Sequence, residues 1–440
     1  MSYATDKKLE KLIMLQILAG LEKKPPRRVQ EMRDVKAKQD QGVHKLMVRA
    51  YDIPFYRERF ERSGTTPADY HTAEDLYKFP VLTKEELRDW MDEELAANAE
   101  KYKDWHVNPT SGSTGIPLRT LFSPRENAAV HANWLRVLMM AGFRPVIDKN
   151  MHRPNSLHTA TGGKKSLLQK VVDTRWKEMS DSIKNRIPSE QLLQEINDYK
   201  PDFLYTHKNI LVRVAKCAKE KQIPLWKPRL YCPISEMLDH QSEQLLLEMF
   251  GPGLLNAYGM SEVGSCVIRL PGEKEFFVNN DTHVVNIYAD DGTPSDSGMA
   301  VVTPLFKTDL PIINYATRDR MVSYRKEGLR FITELLGRMN DVIRHRDGSV
   351  TEWGNIELVV NYSSDLDIVQ SRFIQESYDL IRIQLVKDPA SKLSNEEIER
   401  RYTEKFSPVL NNEFRFVYEW MDEIPSDPNG KLRMIVCNVK

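Results

Sequence analysis

The chain has 440 residues, 41% hydrophobic and 29% charged, with 20 glycines, 24 prolines and 4 cysteines. This make-up allows more than one domain and a large core, and it excludes a disordered chain, a collagen-like repeat and a disulfide-stapled miniprotein. The 63 basic and 63 acidic side chains cancel, so a general nucleic-acid coat is not expected.

In chain order, the apolar run Leu12 to Leu21 lies between Lys7-Lys8 and Glu22-Lys23-Lys24-Pro25-Pro26. It is too short to span a bilayer and reads as an amphipathic helix packed on the protein, with a membrane-surface or partner-binding helix as the alternative. No small-x-small cleavage site follows it, so no signal peptide is expected. Val29 to Arg49 has helical spacing, Pro54 opens a short helix, and Thr83 with Glu86 forms a capping box. From about 105 to 335 helices (Arg125 to Ala141, Asn209 to Lys221, Leu238 to Phe250) alternate with short strands starting at Phe203, Arg229 and Leu254. That rhythm predicts a mostly parallel sheet with crossover helices. From about 274 the pattern turns β-rich. After Leu336-Gly337-Arg338 come a hairpin around Asp347-Gly348, a strand Ile381 to Val386, a helix Asn395 to Phe406 and a strand Phe414 to Trp420. The expected fold is therefore α/β: a large N-terminal domain, residues 1–337, with mostly parallel sheets and a β-rich subdomain, and a small α+β domain, residues 338–440.

Cys217, Cys232, Cys266 and Cys437 form no CxxC or CxxH pair. A zinc finger has no support, and a reduced, cytoplasmic compartment is expected. His106, His152, His158 and His207 show no metal-ligand spacing and read as polar surface or core residues.

Several segments carry chemistry. In Thr110-Ser111-Gly112-Ser113-Thr114-Gly115-Ile116-Pro117, glycines let the backbone approach an anion, and amides and hydroxyls can donate to phosphate oxygens. It is not a Walker A loop, and by itself a flexible loop is the alternative. In Asn256-Ala257-Tyr258-Gly259-Met260-Ser261-Glu262, a ring for stacking and a carboxylate suited to Mg²⁺ follow a strand, and ligands of open α/β sheets lie beyond the carboxyl ends of parallel strands. In Pro311-Ile312-Ile313-Asn314-Tyr315-Ala316-Thr317-Arg318-Asp319, the final carboxylate can accept from both ribose hydroxyls or can pair with Arg318 or Arg320. Gly337-Arg338-Met339-Asn340 lies at the domain break, and Asp427-Pro428-Asn429-Gly430-Lys431 is a turn followed by a lysine.

Taken together, in this order, these segments resemble the adenylate-forming superfamily of acyl- and aryl-CoA synthetases, in particular its phenylacetate-CoA ligase-like and capsule-biosynthesis-like branch. Asp52-Ile53-Pro54-Phe55-Tyr56-Arg57 and Phe79-Pro80-Val81-Leu82-Thr83-Lys84 are also similar to that branch. The resemblance implies ATP-dependent adenylation of a carboxylic acid, expected to be aromatic, and transfer of the acyl group to a thiol, expected to be coenzyme A. AMP transfer to, or activation of, a non-carboxylate acceptor on the same nucleotide site is the alternative.

Residue by residue, the resemblance implies that Thr110 to Gly115 cover the outer phosphates of ATP. Ser235, Glu236 and Asn256 border the adenine, Tyr258 stacks on it beside Gly259, and Ser261 lies near the α-phosphate. Glu262 binds Mg²⁺, and Asp319 holds the ribose. Arg338, counted with the catalytic residues, begins the linker, and Asn340 is its hinge. Lys431 enters the site from a mobile small domain. The implied partners are a small-molecule acid, with no nucleic acid and no integral membrane segment; a homodimer is left open. The chain departs from the family pattern at Leu118-Arg119 after the glycine loop, at Pro233-Ile234-Ser235-Glu236, at Asn340 where an Asp is usual, and at Asp347-Gly348-Ser349 after Arg346.

Overall fold

The computed structural model of the chain describes residues 3–109, 118–152, 176–180, 187–338, 342–352, 356, 366–389, 391–425 and 433–439. Its contacts divide the chain into two compact units. One comprises Met1–Ile147, Asn155–Thr174 and Ala257–Glu334; the other comprises Asp148–Pro154, Arg175–Asn256 and Leu335–Lys440.

The first unit opens with helices α1 (Tyr3–Gly20), α2 (Val29–Tyr51), α3 (Pro54–Ser63) and α4 (Lys84–Ala97). Along α2 the residues Met32, Val35, Val43, Leu46, Met47 and Ala50 are buried, the stripe expected of a helix with one core face. Pro54 starts α3 and Gly64 ends it at φ 65°, a left-handed conformation that glycine adopts without a Cβ penalty. Thr83 caps α4: its Oγ1 accepts from the Glu86 amide at 3.2 Å, and the Glu86 carboxylate accepts from the Thr83 amide at 2.8 Å. α1 packs along α5 (Pro124–Met140) and buries Met14, while Leu12 stays 58% exposed.

Strands β1 (His106–Pro109) and β2 (Arg119–Phe122) pair antiparallel, with Pro109 opposite Arg119. The predicted phosphate loop, residues 110–115, lies outside the described residues. A seven-stranded sheet has the order β10-β11-β12-β13-β9-β8-β7. Its strands are β7 (Asn256–Met260), β8 (Gly264–Arg269), β9 (Phe276–Val278), β10 (His283–Tyr288), β11 (Ser297–Pro304), β12 (Tyr315–Lys326) and β13 (Leu329–Arg338).

The second unit holds a parallel sheet of order β4-β3-β5-β6: β3 (Asn150–His152), β4 (Trp176–Glu178), β5 (Phe203–His207) and β6 (Leu230–Ile234). Its described helices include α6 (Ser189–Tyr199), α7 (Lys208–Lys221) and α8 (His240–Phe250). The last part of the chain adds the hairpin β14 (Val342–Arg344) and β15 (Val350–Glu352), then β16 (Ile368–Ser377), β17 (Leu380–Lys387), α9 (Asn395–Val409), β18 (Arg415–Trp420) and β19 (Ile435–Cys437). Its four-stranded sheet has the order β18-β17-β16-β19. One apolar core runs from Leu192, Leu211 and Leu246 to Phe373, Ile383 and Tyr402. Lys219 reaches Asp388 at 2.9 Å across the same pairing of segments.

The strand expected from Leu254 to Tyr258 is in fact a passage between sheets. The Leu255 amide donates to the Tyr231 carbonyl at 2.9 Å, so this stretch borders β6, and from Asn256 the chain joins the seven-stranded sheet. A continuous apolar run does not disclose that change of partner.

Candidate active site

The first unit gathers two of the segments that carry chemistry. In the β7–β8 turn a Cβ on Gly259 would overlap the Gly264 carbonyl and come 2.7 Å from the Ser265 Cα. Only glycine fits there, because the two backbones approach too closely for a side chain. His283 Nε2 donates to the Val263 carbonyl at 2.9 Å and fixes the residue after Glu262. Burial pushes the His283 imidazole down to about 4, so it is neutral there.

The second segment owes its shape to an irregularity in β12. Val301 faces Ala316 and Met299 faces Arg320, so Thr317, Arg318 and Asp319 together lie opposite Ala300 alone. Arg318 takes φ 61°. Extra residues in one strand bend it and re-aim its side chains. The Thr317 hydroxyl stabilises the bulge: it donates to the Ala300 carbonyl at 2.8 Å and accepts from the Asp319 amide at 3.1 Å.

The opening helices brace this stretch. Tyr56 Oη donates to the Pro311 carbonyl at 2.8 Å and accepts from the Ile313 amide at 3.2 Å. The Asn314 side chain donates to the Leu76 and Phe79 carbonyls at 2.6 and 2.9 Å. The Leu82 amide donates to the Asn314 carbonyl at 2.8 Å, and the Leu82 carbonyl accepts from the Ala316 amide at 2.9 Å. The two N-terminal segments that resemble the family opening thus hold the strand that carries Tyr315 and Asp319.

Tyr258 Oη donates to Asp319 Oδ2 at 2.7 Å, and Tyr315 Oη donates to Glu262 Oε1 at 3.0 Å. Both hydroxyls are held well above the usual phenol range, Tyr258 by burial and Asp319, Tyr315 by burial and Glu262. They therefore stay protonated and act as donors. Glu262 is 6% exposed. Among the described residues its carboxylate has Tyr315 as its one hydrogen-bond partner and no cationic partner. Of the arginines beside Asp319, Arg318 pairs with Glu85 at 2.8 Å and Arg320 with Asp290. Ser261 and Gly259 are exposed, and Asn256 is half-buried.

In the second unit Ser235 follows β6 at φ 72° and is exposed. The Glu236 carboxylate is buried 3.9 Å from His207 Nδ1 and accepts from the Asn209 amide at 3.5 Å. These residues sit at the carboxyl ends of the parallel strands β5 and β6. His207 is a core histidine, 2% exposed, beside an expected site residue, a neighbourhood that sequence spacing does not reveal. Arg338 ends β13. Thr110, Ser111, Gly112, Ser113, Thr114, Gly115, Asn340 and Lys431 lie outside the described residues.

In the sequence Tyr315 stands inside its motif with no expected role. Lys307, fully buried with its ammonium 3.4 Å from Glu126, has no expected role either, because a lone lysine carries no signal in the sequence. Among the described residues no cluster of three or more His, Cys, Asp or Glu side chains could hold a metal by itself.

Residues 343–438 match the model of the CapK C-terminal domain. Protein CapK of Staphylococcus aureus is 25% identical over 56% of this chain and 55% of its own length. The phenylacetate-coenzyme A ligase of Escherichia coli K12 is 26% identical over 70% of this chain and 72% of its own. A crystal structure of 2-hydroxyisobutyryl-CoA ligase in the postadenylation state, in complex with R3-HIB-AMP, superposes with a TM-score of 0.71 at 18% identity and covers 93% of this chain and 90% of that one. Residues 343–438 thus match a CapK C-terminal domain, the chain shares its fold with 2-hydroxyisobutyryl-CoA ligase, and its sequence is similar to those of CapK and the phenylacetate-coenzyme A ligases.

Proposed function

We propose that the protein is an AMP-forming ligase that adenylates a carboxylic acid with ATP, releases pyrophosphate and passes the acyl group to a thiol, coenzyme A. The observation that carries this reading is Glu262: a buried carboxylate with no cation beside it among the described residues, joined through Tyr315 of β12 to the strand of Asp319. A buried carboxylate is costly unless something neutralises it, and a hard divalent ion bound with nucleotide phosphates suits an oxygen donor. Mg²⁺ held by Glu262 would supply positive charge where two anions must meet. Asp319, with one oxygen set by Tyr258, grips the ribose, and Tyr258 presents its ring to the base.

The remaining roles follow the family resemblance. Residues 110–115 close over the outer phosphates. Lys431 opposes charge on the α-phosphate and the attacking oxygen during the first half-reaction. Arg338 and Asn340 begin the segment whose rotation withdraws Lys431 and admits the thiol. That rotation breaks the Lys219–Asp388 contact. An aromatic acid is the proposed substrate class, on the strength of the phenylacetate-coenzyme A ligase relative.

The test is pyrophosphate release from ATP across aromatic, aliphatic and hydroxy acids, with and without coenzyme A. Acid-dependent release, with a thioester formed only when coenzyme A is present, is expected. Release that needs an amine or a phenol instead of an acid overturns the reading.

A further inference from the structure

The two segments at the candidate site are cross-linked reciprocally. The β7–β8 turn supplies Tyr258 and Glu262, and the β12 stretch supplies Tyr315 and Asp319. Each tyrosine donates to the carboxylate of the other segment, at 2.7 Å for Tyr258–Asp319 and 3.0 Å for Tyr315–Glu262. We propose that Tyr315 is a positioning residue for adenylation, holding the Glu262 carboxylate in the orientation that receives the divalent cation. This rests on the reading of Glu262 as metal ligand.

A glutamate side chain has several rotatable bonds, and among the described residues no ion pair restrains this one. The Tyr315 hydroxyl is its fixed point. Tyr315 is 3% exposed, and the residues on either side of it are bonded to Leu82, through the Asn314 carbonyl and the Ala316 amide. The bracing from the opening segments therefore ends on one carboxylate oxygen. A phenol suits this task better than a lysine. It occupies one lone-pair site and leaves the negative charge uncancelled, with the remaining sites available to a cation. The matching Tyr258–Asp319 bond sets the nucleoside end from the same two segments, so metal and ribose are located relative to one another by the crossed pairs.

The experiment is a titration of Mn²⁺ followed by electron paramagnetic resonance, with a non-hydrolysable ATP analogue bound. Tyr315→Phe should weaken Mn²⁺ binding about tenfold, the size of one hydrogen bond to a charged group. Tyr258→Phe should weaken the analogue and leave the Mn²⁺ constant near wild type. Thermal unfolding of each variant checks the fold. If Tyr315→Phe does not fold, Tyr315→Met, which also lacks the hydroxyl but can fill the space, takes its place. Mn²⁺ binding at wild-type strength or tighter in the Tyr315 variant, with Glu262→Gln weakened, overturns the inference alone. Wild-type Mn²⁺ binding by Glu262→Gln overturns the metal reading as well.

Discussion

In the second unit Asp239 caps α8 and is buried 2.9 Å from the ammonium of Lys208. Burial would raise its carboxyl, but Lys208 and hydrogen bonds from Ser242 outweigh burial and hold it below the usual range. In the first unit Glu262 is comparably buried, yet it meets a neutral hydroxyl. Lys307 and Glu126 repeat the first arrangement in the first unit. The difference separates a charge paired inside the fold from one with no cationic partner among the described residues. Asp239 and Glu126 have their counter-ions inside the fold, whereas Glu262 has none among the described residues, and under the proposed function a bound cation would supply it.

Four measurements would break or sharpen that contrast. Lys208→Met should have the largest effect on stability, a loss of about 3–5 kcal/mol, because it leaves Asp239 buried without its partner. Urea denaturation reads this directly, and a loss under about 1 kcal/mol would make Lys208–Asp239 no more than a surface pair.

Glu262→Gln should do the reverse. Its urea midpoint should stay close to wild type, since no counter-ion among the described residues is stranded, while acid-dependent pyrophosphate release falls on the order of 10²–10³, as for loss of a preorganised charge contact. A large loss of stability with intact turnover would move Glu262 into the structural class.

The third measurement concerns His283, whose Nε2 holds the Val263 carbonyl beside Glu262. Its pKa is about 4 in the fold against 6.5 unfolded. The unfolded state therefore binds the extra proton, and the neutral histidine's contribution is full above pH 6.5 and is lost as pH falls towards 4. At 1.36 kcal/mol per pKa unit this amounts to roughly 3 kcal/mol. Urea midpoints between pH 7 and 4 should show that slope, and His283→Gln should flatten it; an equal slope in the variant would assign it to other groups.

The smallest expected effect is that of Asp319→Ala. It should raise the KM for ATP more than it lowers kcat, by the worth of hydrogen bonds to a charged group, about 1.5–3 kcal/mol. Unchanged ATP affinity by calorimetry would return Asp319 to a structural part beside Tyr258.

Much of the architecture was legible because it rests on local rules. The Thr83–Glu86 box, Pro54 at the first turn of α3, the helices at 208–221, 240–250 and 395–409, and the 342–352 hairpin each follow from capping, periodicity or turn residues within a few positions. The chemistry-bearing segments were legible for the same reason: glycines, hydroxyls and carboxylates at short spacing.

What the tertiary structure decided is which of those segments meet. The crossing of Tyr258 with Asp319 spans 61 positions and that of Tyr315 with Glu262 spans 53, and no periodicity encodes a contact at that range. The β12 bulge that aims Asp319 exists only against its partner strand β11, since register belongs to a pair of strands. The passage of the chain at Asn256 from β6 to the seven-stranded sheet depends on which edge is free to pair. The sequence by itself determined local helices, caps and the residue types of the proposed nucleotide site. Long-range pairing decided which buried carboxylate has an internal counter-ion and which meets only a neutral hydroxyl among the described residues, because desolvation and charge neutralisation are set by neighbours in space.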